Sequence, residues 1–154
     1  MTRQLELRVP PAAVTLIAAL LMWLGAGTFS FGWSPTAARS IIALAFALVG
    51  ALIIGAGIFE FRRARTTVSP MRPEGASSLI VTGIYRVSRN PMYLGFAIVL
   101  CAWAIYLSNP LSLLGVVAFV AYMNRFQIIP EETALRALFG HDFERYATQV
   151  RRWL

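Results

Sequence analysis

The chain has 154 residues, 58% of them hydrophobic and only 14% charged, where an ordinary soluble domain carries about 25% charge. So little charge cannot cover a water-exposed surface, and the length leaves room for one domain, 1–154. The net charge of +7 comes from arginine alone, and the arginines flank apolar runs rather than forming a solvated basic stripe, which argues against a nucleic-acid partner.

Four uncharged or nearly uncharged stretches, 11–31, 41–59, 91–107 and 111–129, stand out along the chain. Each approaches the roughly 17–25 residues a helix needs to cross a bilayer core. The first includes Leu16, Ile17, Leu20, Leu21 and Trp23. It exceeds the roughly 7–15-residue apolar core of a cleaved signal peptide, and an equally apolar run follows, so a retained helix is expected. Continuous runs without alternation exclude a barrel. The expectation is an all-α integral membrane protein with about four transmembrane helices in two hairpins.

Arginine placement predicts orientation. Arg3 and Arg8 precede the first run; Arg62, Arg63, Arg65, Arg72, Arg86 and Arg89 lie between the second and third; Arg136, Arg145, Arg151 and Arg152 follow the fourth. Arg39 is the sole basic residue on the opposite side. The positive-inside rule then puts both termini and the loop 62–90 in the cytoplasm, with the helices in the cell inner membrane. A loop of that length is more than a connection. The tail, 131–154, reads as two short amphipathic helices. Leu135, Leu138 and Phe139 share one face, Gly140 stops the first helix, and Phe143, Tyr146 and Val150 share a face of the second. Trp153 is placed to anchor at the interface.

Two clusters could carry chemistry. In Gly83-Ile84-Tyr85-Arg86-Val87-Ser88-Arg89-Asn90-Pro91-Met92-Tyr93-Leu94-Gly95, Asn90 is a favoured N-cap and Pro91 suits the first helical position. That pattern fits an ordinary helix start with arginine flanks. It equally fits an anion site, because free helix N–H groups beside arginine and tyrosine donors suit an amino-acid carboxylate. The second cluster is Glu131-Glu132, after Pro130 at the end of the fourth run. Acids favour a helix start, yet acids beside hydrocarbon need partners and are functional candidates by default. A lone histidine, His141, gives no metal site, and Cys101 has no partner for an intrachain disulfide. A strand-linked glycine fingerprint and a Ser–His–Asp set are both missing.

Together these residues resemble the isoprenylcysteine carboxyl methyltransferase family and its phospholipid-methyltransferase relatives. The resemblance runs from about Thr66 to Leu154. It rests on Ser78-Leu79-Ile80-Val81-Thr82-Gly83-Ile84-Tyr85-Arg86, then Arg89-Asn90-Pro91-Met92-Tyr93-Leu94-Gly95. It continues through Glu131-Glu132, Leu135, Phe139-Gly140, Phe143, Tyr146, Val150 and Trp153. It implies a membrane enzyme that uses S-adenosylmethionine. By the same resemblance, Ser77, Ser78, Leu79, Ile80, Tyr85, Asn90, Pro91, Met92, Tyr93 and Glu131 bind the cofactor. Arg89 and Glu132 are the catalytic candidates, and Gln127 with Arg125 are the candidates for the acceptor. Members acting on prenylated cysteines carry histidine where Asn90 stands, and an arginine for the substrate carboxylate where Gln127 stands. The expected acceptor is therefore an amphiphile reaching the site from the bilayer: a prenylcysteine-like carboxylate, a lipid amine or a thiol. The alternative is a non-catalytic membrane module that retains the fold.

Overall fold

Each of the four apolar runs becomes a helix. The structure, a computed structural model, describes Leu7 and residues 9–28, 36–64 and 78–154. Helix α1 spans Pro11–Thr28, α2 Ala37–Arg63 and α3 Pro91–Leu107, with a 3₁₀ turn, Gly83–Arg86, ahead of α3. Helix α4 (Ser112–Met123) passes through a π-helical turn, Asn124–Ile128, into α5 (Ile129–Phe139), and α6 (His141–Gln149) follows. No strand occurs among the described residues. Helices α1 and α2 and the continuous stretch Ser112–Phe139 are each long and apolar enough to cross a membrane, and the 17-residue α3 is an apolar helix at the short end of that range. The protein is an all-α integral membrane protein.

Helix α3 is the centre of the bundle. It buries Tyr93, Gly95, Ala97, Leu100, Ala102 and Ala104, packs along α2 on one side, and meets α1 and α4 on the others. The main partner of α2 is therefore α3 rather than α1, which lies against α4 and α3. Two glycines allow the α2–α3 approach: a Cβ on Gly50 would fall 2.7 Å from the Gly95 carbonyl oxygen, and one on Gly95 would fall 2.7 Å from that of Gly50. In lipid, where helices gain nothing by hiding apolar surface from one another, such close backbone contact is what holds them. On the other side, Trp103 Nε1 donates to the Ala19 carbonyl at 3.0 Å and fastens α1.

The helix limits differ from the apolar runs for definite reasons. The expected residues 29–31 of the first helix lie outside the described residues. Helix α2 starts four residues early, where the Thr36 side chain accepts from the Arg39 amide at 3.3 Å. It ends four residues late, with Arg62 and Arg63 in a last turn whose dipole favours cations. At 27 residues it is about 40 Å long, beyond the hydrocarbon thickness.

The larger correction concerns Pro130. It does not end the fourth helix, and the tail does not begin at Glu131. A proline ring clashes with the carbonyl four residues back and offers it no N–H. Here the helix widens just before the proline, with the Ile129 amide donating to Asn124, five residues back. The carbonyl that Pro130 leaves unserved, that of Phe126, accepts instead from the Leu7 amide at 3.1 Å. The chain thereby continues as helix to Phe139, where Gly140 at φ +49 stops it as expected. Helix α6 then folds back, and Phe143 and Tyr146 join Ile80 and Tyr85 in a second small core.

Candidate functional site

Segment 78–90, the first turns of α3 and α5, and α6 converge at the arginine-rich end of the bundle around a cavity of about 110 Å³. Segment 78–80 contributes Ser78, Leu79 and Ile80, and the 3₁₀ turn contributes Tyr85. Arg89, Asn90, Met92 and Tyr93 come from the start of α3, and Glu131, Glu132 and Leu135 from α5. Phe61 of α2 and Phe143 and Tyr146 of α6 complete it.

The 3₁₀ turn is held by an acid at the end of α2. Thr82 Oγ1 donates to Glu60 Oε2 at 2.5 Å, and Gly83, at φ +56, lies so close to the Glu60 carboxylate that a Cβ there would collide with it. Only glycine satisfies both the left-handed backbone and the contact. Tyr85 then sets its ring at 78° to Phe61, centroids 5.7 Å apart, while its carbonyl accepts from the Tyr146 hydroxyl at 2.7 Å. Burial, aided by Tyr146, Glu131 and Glu60, pushes the Tyr85 phenol far above its ordinary value, so it stays a neutral donor. Burial also raises Tyr146, against the opposing pull of Arg89.

The two adjacent acids have different surroundings. The Tyr93 hydroxyl donates to Glu131 Oε1, fixing that partly buried carboxylate at the cavity. Glu132 is instead saturated with arginine. Its Oε1 accepts from Arg89 Nη2 at 2.8 Å and Arg152 Nε at 3.1 Å, and its Oε2 from Arg152 Nη2 at 2.7 Å. Arg89 also donates through Nη1 to the carbonyls of Ala147 and Val150, both at 2.8 Å, closing the last turn of α6. Two donors on the cavity lining are buried with no hydrogen-bond partner among the described residues: Ser78 Oγ and Arg89 Nε.

Most of the expected site residues are thus brought together. Ser77 lies outside the described residues. Pro91 is buried at the first position of α3 and does not line the cavity. Asn90 occupies the N-cap position without capping: its Nδ2 donates to the Arg152 carbonyl at 2.9 Å, and its backbone amide donates to Ser88 Oγ. Neither Gln127 nor Arg125 comes to the cavity. Gln127 is fully buried and gives its Nε2 to the Val9 carbonyl at 2.7 Å, and Arg125 lies over the Phe126 ring at 5.3 Å. Glu60, Phe61 and Arg152 were not expected. Glu60 had a signal, as an acid directly after an apolar run, whereas Arg152 had none beyond its charge.

A family model for phospholipid methyltransferase matches residues 38–142 of this architecture. The chain belongs to the phospholipid methyltransferase family. Within that class its likeness is to isoprenylcysteine O-methyltransferases. It is 35% identical over 114 residues to a probable protein-S-isoprenylcysteine O-methyltransferase of Oryza sativa subsp. indica, covering 72% of this chain and 58% of that protein. It is 31% identical over 110 residues to protein-S-isoprenylcysteine O-methyltransferase B of Arabidopsis thaliana, covering 70% and 54%. An uncharacterized Haemophilus influenzae protein is 48% identical over 63 residues, which is 41% of this chain and all of that protein. The chain spans little more than half the length of the plant relatives it matches. No solved structure matches.

Proposed function

We propose that this protein transfers a methyl group from S-adenosylmethionine to an amphiphilic acceptor at the cytoplasmic face of the cell inner membrane. The observation that carries the reading is the donor set of the cavity. One carboxylate, Glu131, is held by Tyr93, and two buried donors without partners among the described residues, Ser78 Oγ and Arg89 Nε, share the same lining. An amino-acid end group, with its ammonium and carboxylate, has the complementary pattern. Met92, Leu79, Leu135 and Phe143 offer apolar surface beside it. The chemistry of the residues therefore fits the cofactor. At about 110 Å³ the cavity accommodates that polar end rather than the whole molecule, since sites for complete small ligands begin near 300 Å³.

When bound, the cofactor supplies an electrophilic methyl group on a sulfonium that leaves readily. The residues have to align the acceptor with it and keep water out. Tyr93 fixes the direction of Glu131, and the apolar lining excludes solvent. Glu132, committed to two arginines, is a fastening rather than a proton acceptor in this reading. The cytoplasmic placement is supported by Arg62, Arg63, Arg86, Arg89 and Arg152 at the site end and by Arg39 alone at the other.

Calorimetric titration with S-adenosylmethionine in detergent tests binding, and label transfer to a total lipid extract tests turnover. Absence of binding at millimolar cofactor would sink the proposal. One observation favours a second reading, a membrane module without turnover: Gln127 and Arg125 do not reach the cavity, so neither is set to hold an acceptor carboxylate. Cofactor binding with no transfer to any lipid fraction is the result that reading expects.

A further inference from the structure

The last residues of the chain reach back over the candidate site. After α6 the backbone becomes extended at Val150 and runs along segment 88–90. The Arg89 amide donates to the Arg151 carbonyl at 3.0 Å, and Asn90 Nδ2 donates to that of Arg152 at 2.9 Å. Trp153 Nε1 donates to Asn124 Oδ1 in the π turn at 3.1 Å. The Arg152 side chain meanwhile takes both oxygens of Glu132. One short strap thus ties together the entry to α3, the π turn and the first turn of α5. Those elements carry or adjoin Asn90, Tyr93 and Glu131. No strap residue lines the cavity, so the strap acts on it only through what it holds.

Charge neutralisation does not explain Arg152. Arg89, with 14% of its side chain exposed, already pairs with Glu132 at 2.8 Å, whereas the Arg152 side chain is 37% exposed. Arg152 adds geometry. Its guanidinium fork grips the carboxylate of α5 through two nitrogens, and its own carbonyl is gripped by Asn90 at the head of α3. Two elements that meet only through long-range contacts are thereby spaced by one residue.

We propose that Arg152 is a positioning residue for the site: it sets the first turn of α5 against the first turn of α3 and so aligns the Tyr93–Glu131 pair. This rests on the methyl-donor reading for its consequence in binding, but its structural half stands alone. The experiment compares the full chain with Arg152→Gln and Arg152→Lys in detergent by hydrogen exchange, cofactor titration and thermal unfolding. In Arg152→Gln, the Arg89 and Leu94 amides should exchange faster while those of α1 and α2 do not. The cofactor Kd should rise about fivefold to tenfold with the melting temperature nearly unchanged. Arg152→Lys should fall between, because an ammonium is a point charge without a two-nitrogen fork. Unchanged exchange at residues 89–94 in Arg152→Gln overturns the proposal. So does loosening spread evenly over all helices, which marks a general loss of stability. If the unmodified protein binds no cofactor, the donor reading fails, and the exchange pattern by itself decides the role of Arg152.

Discussion

The Tyr93 hydroxyl and the Glu131 carboxylate lie 38 positions apart in sequence, and one hydrogen bond between them joins the first turn of α3 to that of α5 at the cavity. Glu131→Gln should weaken S-adenosylmethionine binding roughly tenfold to hundredfold, the scale of a charged hydrogen bond of about 1.5–3 kcal/mol. Tyr93→Phe removes only the group that aims the carboxylate and should cost less. Titration calorimetry on both variants checks the order, and equal, negligible losses would leave Glu131 as an ordinary helix-start acid.

For Glu132→Gln, a clear loss of stability should accompany the loss of affinity that follows from releasing Arg152. The substitution leaves Arg89 largely buried without a counter-charge. Breaking a buried pair costs about 3–5 kcal/mol, and partial solvation of Arg152 brings the expectation to about 2–4 kcal/mol. Reversible unfolding in mixed micelles measures it, and a change below about 0.5 kcal/mol would contradict the ion-pair geometry.

The contact between Gly50 and Gly95 predicts a sharp response to small additions. Gly95→Ala places a methyl against the Gly50 carbonyl and Ile54. Overpacking of this kind costs about 1–3 kcal/mol. Gly25 and Gly55, whose Cβ positions are open, should accept alanine without that penalty. Melting temperatures of the three alanine variants decide between packing and a general intolerance of the membrane helices.

Orientation can be read from two exposed positions. In a Cys101→Ser background, Val87→Cys should react with a membrane-impermeant thiol reagent only after the cells are opened, and Leu111→Cys in intact cells. The reverse pattern would place the arginine-rich end outside.

An acceptor anchored in the bilayer should show chain-length dependence. Each additional buried methylene contributes about 0.8 kcal/mol, or close to fourfold in kcat/KM until the chain leaves the protein or lipid. A series of acceptors with lengthening alkyl chains measures this, and a flat series would remove lateral access from the account.

The helices were legible because lipid imposes one rule on a whole segment: about twenty apolar residues in a row leave little room for another structure. The partners of those helices were not, since α2 and α3 meet through two glycines 45 positions apart that carry no charge or pattern. At the site, Asn90, Tyr93 and the paired acids were visible by residue type and spacing. Their division of labour was not, because it depends on where Arg152 folds back and on which carboxylate faces which partner. Pro130 misled for a local reason. A proline ordinarily marks a helix end, and nothing in its neighbours announced that Leu7 would satisfy the carbonyl it strands.

The π turn also acts as a register device. It holds one more residue than an α-helical path over the same height would, and one residue is worth about 100° of rotation. Deleting one residue from Asn124–Ile128 would therefore let the stretch close to an ordinary α-helical turn and leave Glu131 facing Tyr93 and Glu132 facing Arg89 and Arg152. The same deletion after the turn, between Ile129 and Glu131, has no widened turn to absorb it and would rotate both acids by that angle. In the language of sequence comparison, a one-residue gap between Asn124 and Ile128 in a relative marks a helix without the widened turn, with its two acids still in register.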